Sequence, residues 1–367
     1  MPTSREKSIR TKALLDHIKL GWIRLSSSRR VTYCKCMKYA LVASILALDA
    51  ITIQSLPWQI RFVLGIVLAL SATVIPYLRR FIVPALPIFA WLATFYACQY
   101  IPNDFRPKHI FVNVLPTLER VLYGGSLSEI ISQHQHVFLD IVAWLPYGII
   151  HFSFPFILAF MLFCLGPPGS LDIFGETFGW MNLCGVLTQL LFPNASPWYE
   201  MKYGSTPADY SVPGEAGGLA RIDEILGLNI YGSSFGASPL VFGALPSLHS
   251  ASATIEMLFL YYLKPNLWPI YAVYVMWMWW STMYLTHHYL IDLVGGSIYA
   301  VAAFFVARLS LPPIDKNARS RLDYLGVTKI SLGAFVHSIE NRSKPITAQQ
   351  DDEEEALLLQ PTDDGEE

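Results

Sequence analysis

The sequence predicts an all-α fold: a polytopic membrane protein in which about eight spanning helices form a bundle. Hydrophobic residues make up 53% of the 367 residues and charged residues only 15%, with a mean hydropathy of +0.39. Soluble domains usually carry about 25% charged residues. The charge is also crowded into the two ends of the chain, and the middle contains several apolar runs close to the roughly 20 residues that span a bilayer.

The predicted spans follow one another along the central part of the chain. Their bounds are 39–56, 59–78, 81–101, 137–165, 176–192, 249–263, 267–285 and 289–309. The fourth contains Pro146 and Pro155, which predicts a kinked helix or a re-entrant piece, since neighbouring helices can satisfy the freed backbone groups. The sixth is short and needs a thin local bilayer or extra residues from the segment before it.

Three parts of the chain are predicted: a basic N-terminal tail (1–38), a membrane domain (39–311) and an acidic C-terminal tail (312–367) that we expect to be disordered. The N-terminus lacks an apolar h-region, so we expect no cleavable signal peptide. Within the C-terminal tail, 353–359 has the spacing of a dileucine sorting signal.

An even number of spans puts both tails on one side of the membrane. Most lysines and arginines outside the spans lie in the tails and in the loops on that side, so the positive-inside rule makes it cytosolic. The loops at about 102–136 and 193–248 then face the lumen or the exterior. The sixth and eighth spans both begin on that face, so the residues at their starts are expected at the same depth.

Two segments indicate chemistry, and each places a histidine at the start of an apolar stretch: His249 in 243–250 and His288 in 281–292. Asp292 follows His288 by four residues, and in a helix such side chains share one face. The carboxylate can hold a proton on one imidazole nitrogen and leave the other free to attack, as in an activated histidine nucleophile. His249 would serve as acid and base. The pattern indicates phosphoryl transfer on lipids.

Each of these residues also has a structural interpretation. His249 could be an interfacial residue beside an ordinary helix cap. A charge at the centre of a span costs roughly 2.5–3.5 kcal/mol, which favours a functional role for His288 and Asp292. The pair could also ligate a metal, but no Cys/His cluster completes such a site, so we expect no metal and no cofactor. His287 is expected to contact the loop or lipid headgroups.

A phosphate bound here needs donors. The start of a helix offers free N–H groups to an anion, and the hydroxyls of Ser247 and Ser250 are candidate donors at that point. Arg221 and Lys202 are the cations of the loop 193–248. Both are candidate phosphate ligands, although either could instead form a surface ion pair.

The two histidine segments resemble motifs of the phosphatidic-acid-phosphatase type 2 superfamily. Its second motif, Pro-Ser-Gly-His, corresponds to 246–249, and its third, Ser-Arg followed at fixed spacings by His and Asp, corresponds to 281–292. Leu248 replaces the glycine and Thr282 replaces the arginine. The first motif of the superfamily is not present in the loop 193–248.

The departures indicate a narrower group, the fungal inositol phosphorylceramide synthase family, target of the antifungal aureobasidin A. The strings that are similar to that family are 192–199, 217–223, 242–250 and 281–293. The resemblance runs from about the first span to residue 310 and implies a six-helix lipid-phosphatase-like core. It also implies a catalytic triad of His249, His288 and Asp292. Because the motif arginine is lost, Arg221 and Lys202 become more attractive as its substitutes.

The resemblance implies transfer of phosphoinositol from phosphatidylinositol to the primary hydroxyl of ceramide, which releases diacylglycerol. It further implies a Golgi membrane location with a luminal site, and a small regulatory membrane subunit as partner; no nucleic-acid partner is expected. We expect His288 to attack the phosphorus and His249 to protonate the leaving oxygen, with a phosphohistidine intermediate. The loop 193–248 is the expected lid that excludes water.

Three other functions fit parts of the pattern. A lipid phosphatase would use the same triad with water as acceptor, and a sphingomyelin-type synthase would use a choline or ethanolamine donor. A lipid-binding scaffold or transporter would need no triad. The residues that select inositol are not identified by the sequence: Glu200, Asp209, Asp223 and Glu224 are equal candidates.

Overall fold

The computed structural model describes residues 36–327, 331–333, 336 and 339. Within this part the chain is all-α, as predicted: it contains no strand, only isolated bridges that pair Asn194 with Phe111 and with Gly243. The predictions for residues 1–35 and for the sorting signal at 353–359 lie outside the described residues.

Each of the eight predicted spans contains a helix, although residues 53–56 and 74–75 within them are not helical. The helices are α1 (36–52), α2 (Trp58–Thr73), α3 (Pro76–Ala97), α6 (Val137–Trp144) continued by α7 (His151–Leu165), α8 (Ser170–Leu191), α12 (Leu248–Leu263), α13 (Trp268–Tyr284) and α14 (Leu290–Arg308). Among the residues that the structure describes, three stretches are long and apolar enough to cross a membrane, namely Tyr77–Tyr100, Val137–Leu165 and Leu290–Arg308. The chain is therefore a membrane protein, and the count of eight spans stays a prediction.

Helices α6 and α7 form one element that is interrupted by a π-helical turn, Leu145–Ile150. Pro146 lies in this turn, and a proline cannot donate to the regular helical ladder. The sequence predicted a kink or a re-entrant piece in the fourth span, and the structure has a π-helical turn at this place, with helix on both sides of it.

Helix α8 begins at Ser170, six residues before the predicted span. Its first turns add residues 170–175, including the charged Asp172, which the apolar pattern left out. Glu176, which follows them, accepts hydrogen bonds from Lys38 Nζ (2.5 Å) and Tyr39 Oη (2.8 Å). Lys38 thus lies in α1 rather than in the tail to which the sequence assigned it.

The two long loops between spans are folded. The first contains α4 (Val114–Tyr123) and α5 (Leu127–Ser132); the second contains α9 (Pro197–Tyr203), α10 (Leu219–Leu226) and α11 (Tyr231–Gly236). Asn194 connects the loops by backbone hydrogen bonds to Phe111 and Phe242. Both loops lie at the end of the bundle where α12 and α14 begin.

Helix α12 lies at the centre of the core. Its buried residues pack with apolar side chains of α7, α8, α13 and α14. Helix α14 approaches α12 closely at Gly296, where a Cβ atom would lie 2.1 Å from the carbonyl oxygen of Ser247. This contact fixes the start of α12 against the start of α14.

Candidate active site

The start of α12 is held by its two serines. Ser247 is the N-cap, and its hydroxyl accepts a hydrogen bond from the Ser250 N–H (3.3 Å). The Ser250 hydroxyl donates to the carbonyl oxygen of Leu293 in α14 (2.6 Å). Both serines are fully buried. The sequence correctly predicted a helix start here, and the structure gives both candidate phosphate donors partners within the fold.

The turn between α13 and α14 places the second histidine. Thr286 has a φ of 64°, a left-handed conformation that is uncommon for a β-branched residue and often accompanies functional sites. The N–H groups of His287 and His288 both point to the carbonyl oxygen of Thr282 (3.0 and 3.4 Å). This compact turn leaves His288 outside α14, which begins at Leu290.

His288 and Asp292 are paired, but not within one helix as the sequence argument assumed. Asp292 lies in the first turn of α14, where its Oδ2 accepts a hydrogen bond from the Tyr289 N–H (3.2 Å). Its Oδ1 lies 3.3 Å from His288 Nδ1. The carboxylate reaches back across the helix N-terminus to a residue that precedes the helix. It is fully buried.

The structure brings the two histidine segments together. His249 Nδ1 lies 3.2 Å from His288 Nε2, the imidazole nitrogen that does not face Asp292. The His249 ring also stacks on Tyr147 at 4.3 Å and lies 4.6 Å from the ring of His151, both from the kinked fourth span. The orientation argument predicted this convergence, and the aromatic partners on the fourth span could not be predicted from the sequence.

His287 connects the turn to the loop 193–248. Its Nε2 donates to the carbonyl oxygen of Ala216 (2.9 Å), so its Nδ1 accepts from the Tyr147 hydroxyl (2.8 Å). Burial, helped by the neighbouring His288, lowers the pKa of His287 to about 4. The expected loop contact is thus present. His287 is a neutral, fixed link between the turn and the loop.

A cavity of about 160 Å³ opens beside His249 and His288. Its wall combines the two histidines with polar and aromatic side chains from the fourth span, α8 and the folded loop. The lining residues include Tyr147, Gln189, Ser196, Trp198, Glu215, Phe235, Ser238 and His287. Among the described residues that line it there is no lysine or arginine.

The candidate cation Arg221 is engaged elsewhere. Its Nε and Nη2 donate to Asp140 Oδ1 (2.8 and 2.6 Å), which also accepts from the Tyr284 hydroxyl (2.9 Å). This pair attaches α10 to the start of α6. The structure does not bring Arg221 to the histidine cavity, so its role as a phosphate ligand stays a prediction that requires release of Asp140.

The candidate cation Lys202 forms an ion pair with Glu215. It lines a neighbouring cavity of about 270 Å³, and the two cavities share Trp198, Gly214 and Glu215. Lys202 is therefore next to the histidine cavity but not part of its wall. Its role as a phosphate ligand likewise stays a prediction.

The two departures from the superfamily motifs are accommodated locally. Leu248 packs against Gly185 of α8, where a Cβ atom would lie 2.4 Å from its side chain. Thr282 is fully buried and its hydroxyl donates to the carbonyl oxygen of Trp279 (2.9 Å). The described residues contain no group of three or more side chains arranged to hold a metal ion.

Glu119 supports the site from the first loop, and nothing in the sequence pointed to it. Its Oε1 accepts a hydrogen bond from the Leu290 N–H at the start of α14 (2.6 Å), and the side chain is fully buried. Burial, with the nearby Asp292 adding to it, raises the pKa of Glu119 to about 7 despite that hydrogen bond.

The other residues that sequence reasoning missed are Tyr147, Gln189 and Glu215. Each reaches the cavity from a different element, and none belongs to a motif. Only proximity in the folded chain identifies them.

Comparison with known proteins gives a consistent assignment. The family model of the PAP2 superfamily matches residues 115–306. The chain is 46% identical to the inositol phosphorylceramide synthase catalytic subunit aur1 of Schizosaccharomyces pombe, over 88% of this chain and 72% of that protein. It is 42% identical to the catalytic subunit AUR1 of Saccharomyces cerevisiae, over 87% and 77%. It is 30% identical to a phosphoinositol dihydroceramide synthase of Bacteroides thetaiotaomicron, over 59% and 73%. No solved structure matches the chain.

Proposed function

Because the chain belongs to the inositol phosphorylceramide synthase family of the PAP2 superfamily, and is therefore a phosphotransferase, we propose that it transfers phosphoinositol from phosphatidylinositol to ceramide. The products are inositol phosphorylceramide and diacylglycerol. The observation that carries the mechanism is the alignment of Asp292, His288 and His249, with contacts of 3.3 Å and 3.2 Å on the two nitrogens of the central imidazole.

In the first half-reaction, His288 Nε2 uses its lone pair to attack the phosphorus of phosphatidylinositol. Asp292 keeps the proton on Nδ1 and stabilises the cation that forms on the ring. The bond from phosphorus to the diacylglycerol oxygen breaks, and His249 gives that oxygen a proton. Phosphoinositol remains bonded to His288.

In the second half-reaction, the primary hydroxyl of ceramide attacks the same phosphorus. His249 takes the hydroxyl proton, and the bond from phosphorus to His288 breaks. One residue acts first as acid and then as base because the two steps are mirror images of one another. The sum of both steps leaves His249 and His288 as they began.

The 3.2 Å contact between the histidines describes the site without substrate. Attacking and leaving atoms lie roughly in line on opposite sides of the phosphorus. A phosphodiester must therefore enter between the two rings and separate them. The cavity beside them has no lysine or arginine in its wall among the described residues, so the proposal needs His249 to carry the proton that the leaving oxygen receives.

The folded loop 193–248 is the proposed cover of this site. It supplies Ser196, Glu215 and Phe235 to the cavity wall, and Trp198 N–H donates to the Thr286 carbonyl oxygen (3.0 Å). Water must be kept from the phosphohistidine, since hydrolysis would turn the synthase into a phosphatase.

The proposed intermediate is tested with purified protein and phosphatidylinositol labelled in the inositol ring. Without ceramide, we expect a burst of diacylglycerol equal to the amount of enzyme, with the label on the protein. Addition of ceramide should move the label to inositol phosphorylceramide. His288→Ala should show neither the burst nor labelling, whereas His109→Ala, which changes an exposed histidine outside the cavity, should behave as wild type.

Two results would contradict this proposal. Steady release of free inositol phosphate without ceramide would favour a phosphatase. Transfer that persists in His288→Ala would show that His288 is not the nucleophile.

We further propose a Golgi membrane location, with both termini cytosolic, the site luminal and a small regulatory membrane subunit bound. The family resemblance and the distribution of lysine and arginine support these assignments. Single cysteines introduced at exposed positions of the loop 193–248 should resist a membrane-impermeant thiol reagent until sealed Golgi vesicles are opened. Labelling in sealed vesicles would show that the loop 193–248 faces the cytosol and would contradict the proposed orientation.

A further inference from the structure

We propose that the ion pair between Lys202 and Glu215 selects the inositol headgroup, with the pair hydrogen-bonded to the ring hydroxyls of the donor lipid. This inference rests on the proposed function, because it names the part of the same site that recognises the group carried by the phosphorus. Lys202 is thus assigned to the polyol rather than to the phosphate.

The ion pair lies beside the histidine cavity, in a position that the inositol group of a bound donor lipid can reach. Glu215 lines the histidine cavity together with His249 and His288, and it also lines the neighbouring cavity with Lys202. The two cavities therefore meet at the ion pair. A headgroup that extends from a phosphorus beside His288 towards the neighbouring cavity passes Glu215, which lines both cavities.

The position of Glu215 relative to the nucleophile is fixed by the backbone that follows it. The Ala216 carbonyl oxygen accepts from His287, and the Gly218 N–H donates to the Leu285 carbonyl oxygen (3.0 Å). Gly217 has a φ of 52°, and a Cβ atom there would lie 2.6 Å from that same oxygen of Leu285. The segment after Glu215 is thus seated directly on the turn that carries His288.

The charge of the pair matches a neutral polyol. Tyr147, Trp198 and Phe235 line the cavity, and these aromatic rings with a lone carboxylate would suit a quaternary ammonium such as choline. Lys202 cancels the charge of that carboxylate. The neutral pair still offers acceptors on Glu215 and donors on Lys202, and each inositol hydroxyl can use both.

The other carboxylates of the loop have partners elsewhere or lie outside the histidine cavity. Glu200 accepts from the Tyr289 hydroxyl and pairs with Arg120. Asp223 accepts three backbone N–H groups, from residues 230, 231 and 232. Asp209 binds Ser211. None of these, nor Glu224, lines the histidine cavity.

The pair is open enough to bind a ligand. The Lys202 and Glu215 side chains are 52% and 34% exposed. Exposed ion pairs contribute little to folding. Substitutions here should therefore change substrate preference without unfolding the protein.

The test is a donor competition with the purified full-length protein, labelled ceramide and equal amounts of phosphatidylinositol and phosphatidylcholine. In Glu215→Gln we expect the KM for phosphatidylinositol to rise about ten- to a hundredfold with little change in kcat, since a charged hydrogen-bond acceptor is lost. In Lys202→Met, which leaves the carboxylate unpaired, the preference for phosphatidylinositol over phosphatidylcholine in kcat/KM should fall by about tenfold or more. Lys108→Met removes an exposed lysine outside both cavities and should keep the wild-type preference.

The outcomes separate the two proposals. Wild-type protein that forms no inositol phosphorylceramide refutes the proposed function itself. Wild-type protein that forms it, while Glu215→Gln and Lys202→Met keep the wild-type donor preference within twofold, refutes only the role of the ion pair. A shift of the same size in Lys108→Met would also refute it.

Discussion

Replacing Asp292 by asparagine tests whether the carboxylate acts by holding the tautomer of His288. Asp292 Oδ2 accepts a hydrogen bond from the Tyr289 N–H at 3.2 Å, and its Oδ1 lies 3.3 Å from His288 Nδ1. The Tyr289 N–H is a donor, so it selects the amide oxygen of an asparagine. The amide NH₂ then faces His288 Nδ1 and donates to it. The proton of the imidazole moves to Nε2, which removes the lone pair that attacks phosphorus.

The size of the expected loss of activity follows from this change in the tautomer of His288. The backbone hydrogen bond to Tyr289 and the packing of a fully buried side chain are kept, so the fold should be nearly unchanged. The wrong tautomer in a comparable triad costs roughly 10⁴ in turnover. A loss of that size corresponds to about 5.4 kcal/mol of transition-state stabilisation.

The assay measures both quantities on the same preparation. Single-turnover formation of inositol phosphorylceramide gives the chemical rate, and thermal unfolding in detergent gives the stability. We expect a rate loss of about four decades with a melting temperature within a few degrees of wild type. Asp292→Ala leaves the tautomer free but also removes the partner of the Tyr289 N–H, so it should be less stable than Asp292→Asn. A rate for Asp292→Asn within tenfold of wild type would refute the tautomer argument.

Three further changes test the supports of the site. Glu119→Gln keeps an acceptor for the start of α14. Because the pKa of Glu119 is raised from 4.5 to about 7, the folded state holds its proton longer, and wild-type stability should fall as pH rises through that interval. The melting temperature of Glu119→Gln should not fall over this pH interval. The same dependence of melting temperature on pH in both proteins would show that Glu119 is not the group that titrates. Gly217→Ala places a Cβ 2.6 Å from a carbonyl oxygen and should lower stability and activity. The effect should be larger than that of Gly227→Ala, because Gly227 has a similar φ of 65° but open space around it. Equal melting temperatures of the two variants would count against the close contact. Tyr147→Phe leaves the buried Nδ1 of His287 without a donor. It should lower the melting temperature by a few degrees and reduce kcat/KM for phosphatidylinositol about tenfold; full activity would show that this hydrogen bond is dispensable.

The helices were predictable because each apolar run carries its own signal. The bounds of α12, α13 and α14 lie within one residue of those predicted. The start of α8 was missed because residues 170–175 include the charged Asp172, at which the apolar run ends, although the helix continues through it.

The proximity of the three residues proposed for chemistry was predictable for a similar reason. His288 and Asp292 are close in sequence, and chain direction alone places His249 at the same end of the bundle. The geometry that achieves this was not predictable. The sequence argument placed His288 and Asp292 on one face of a helix, but in the structure they meet across the N-terminus of α14. The left-handed turn at Thr286 and the hydrogen bond from the Tyr289 N–H to Asp292 hold them there.

The sequence by itself determined the all-α membrane fold, the family and the three residues proposed for chemistry. It did so because periodic apolar runs, charge distribution and short motifs are local properties of a chain. Only the tertiary structure decided which charged residues are free to meet a substrate, since the partner of a side chain depends on the whole packing. Arg221 is held by Asp140, Lys202 by Glu215, and of the loop carboxylates Glu215 reaches the histidine cavity.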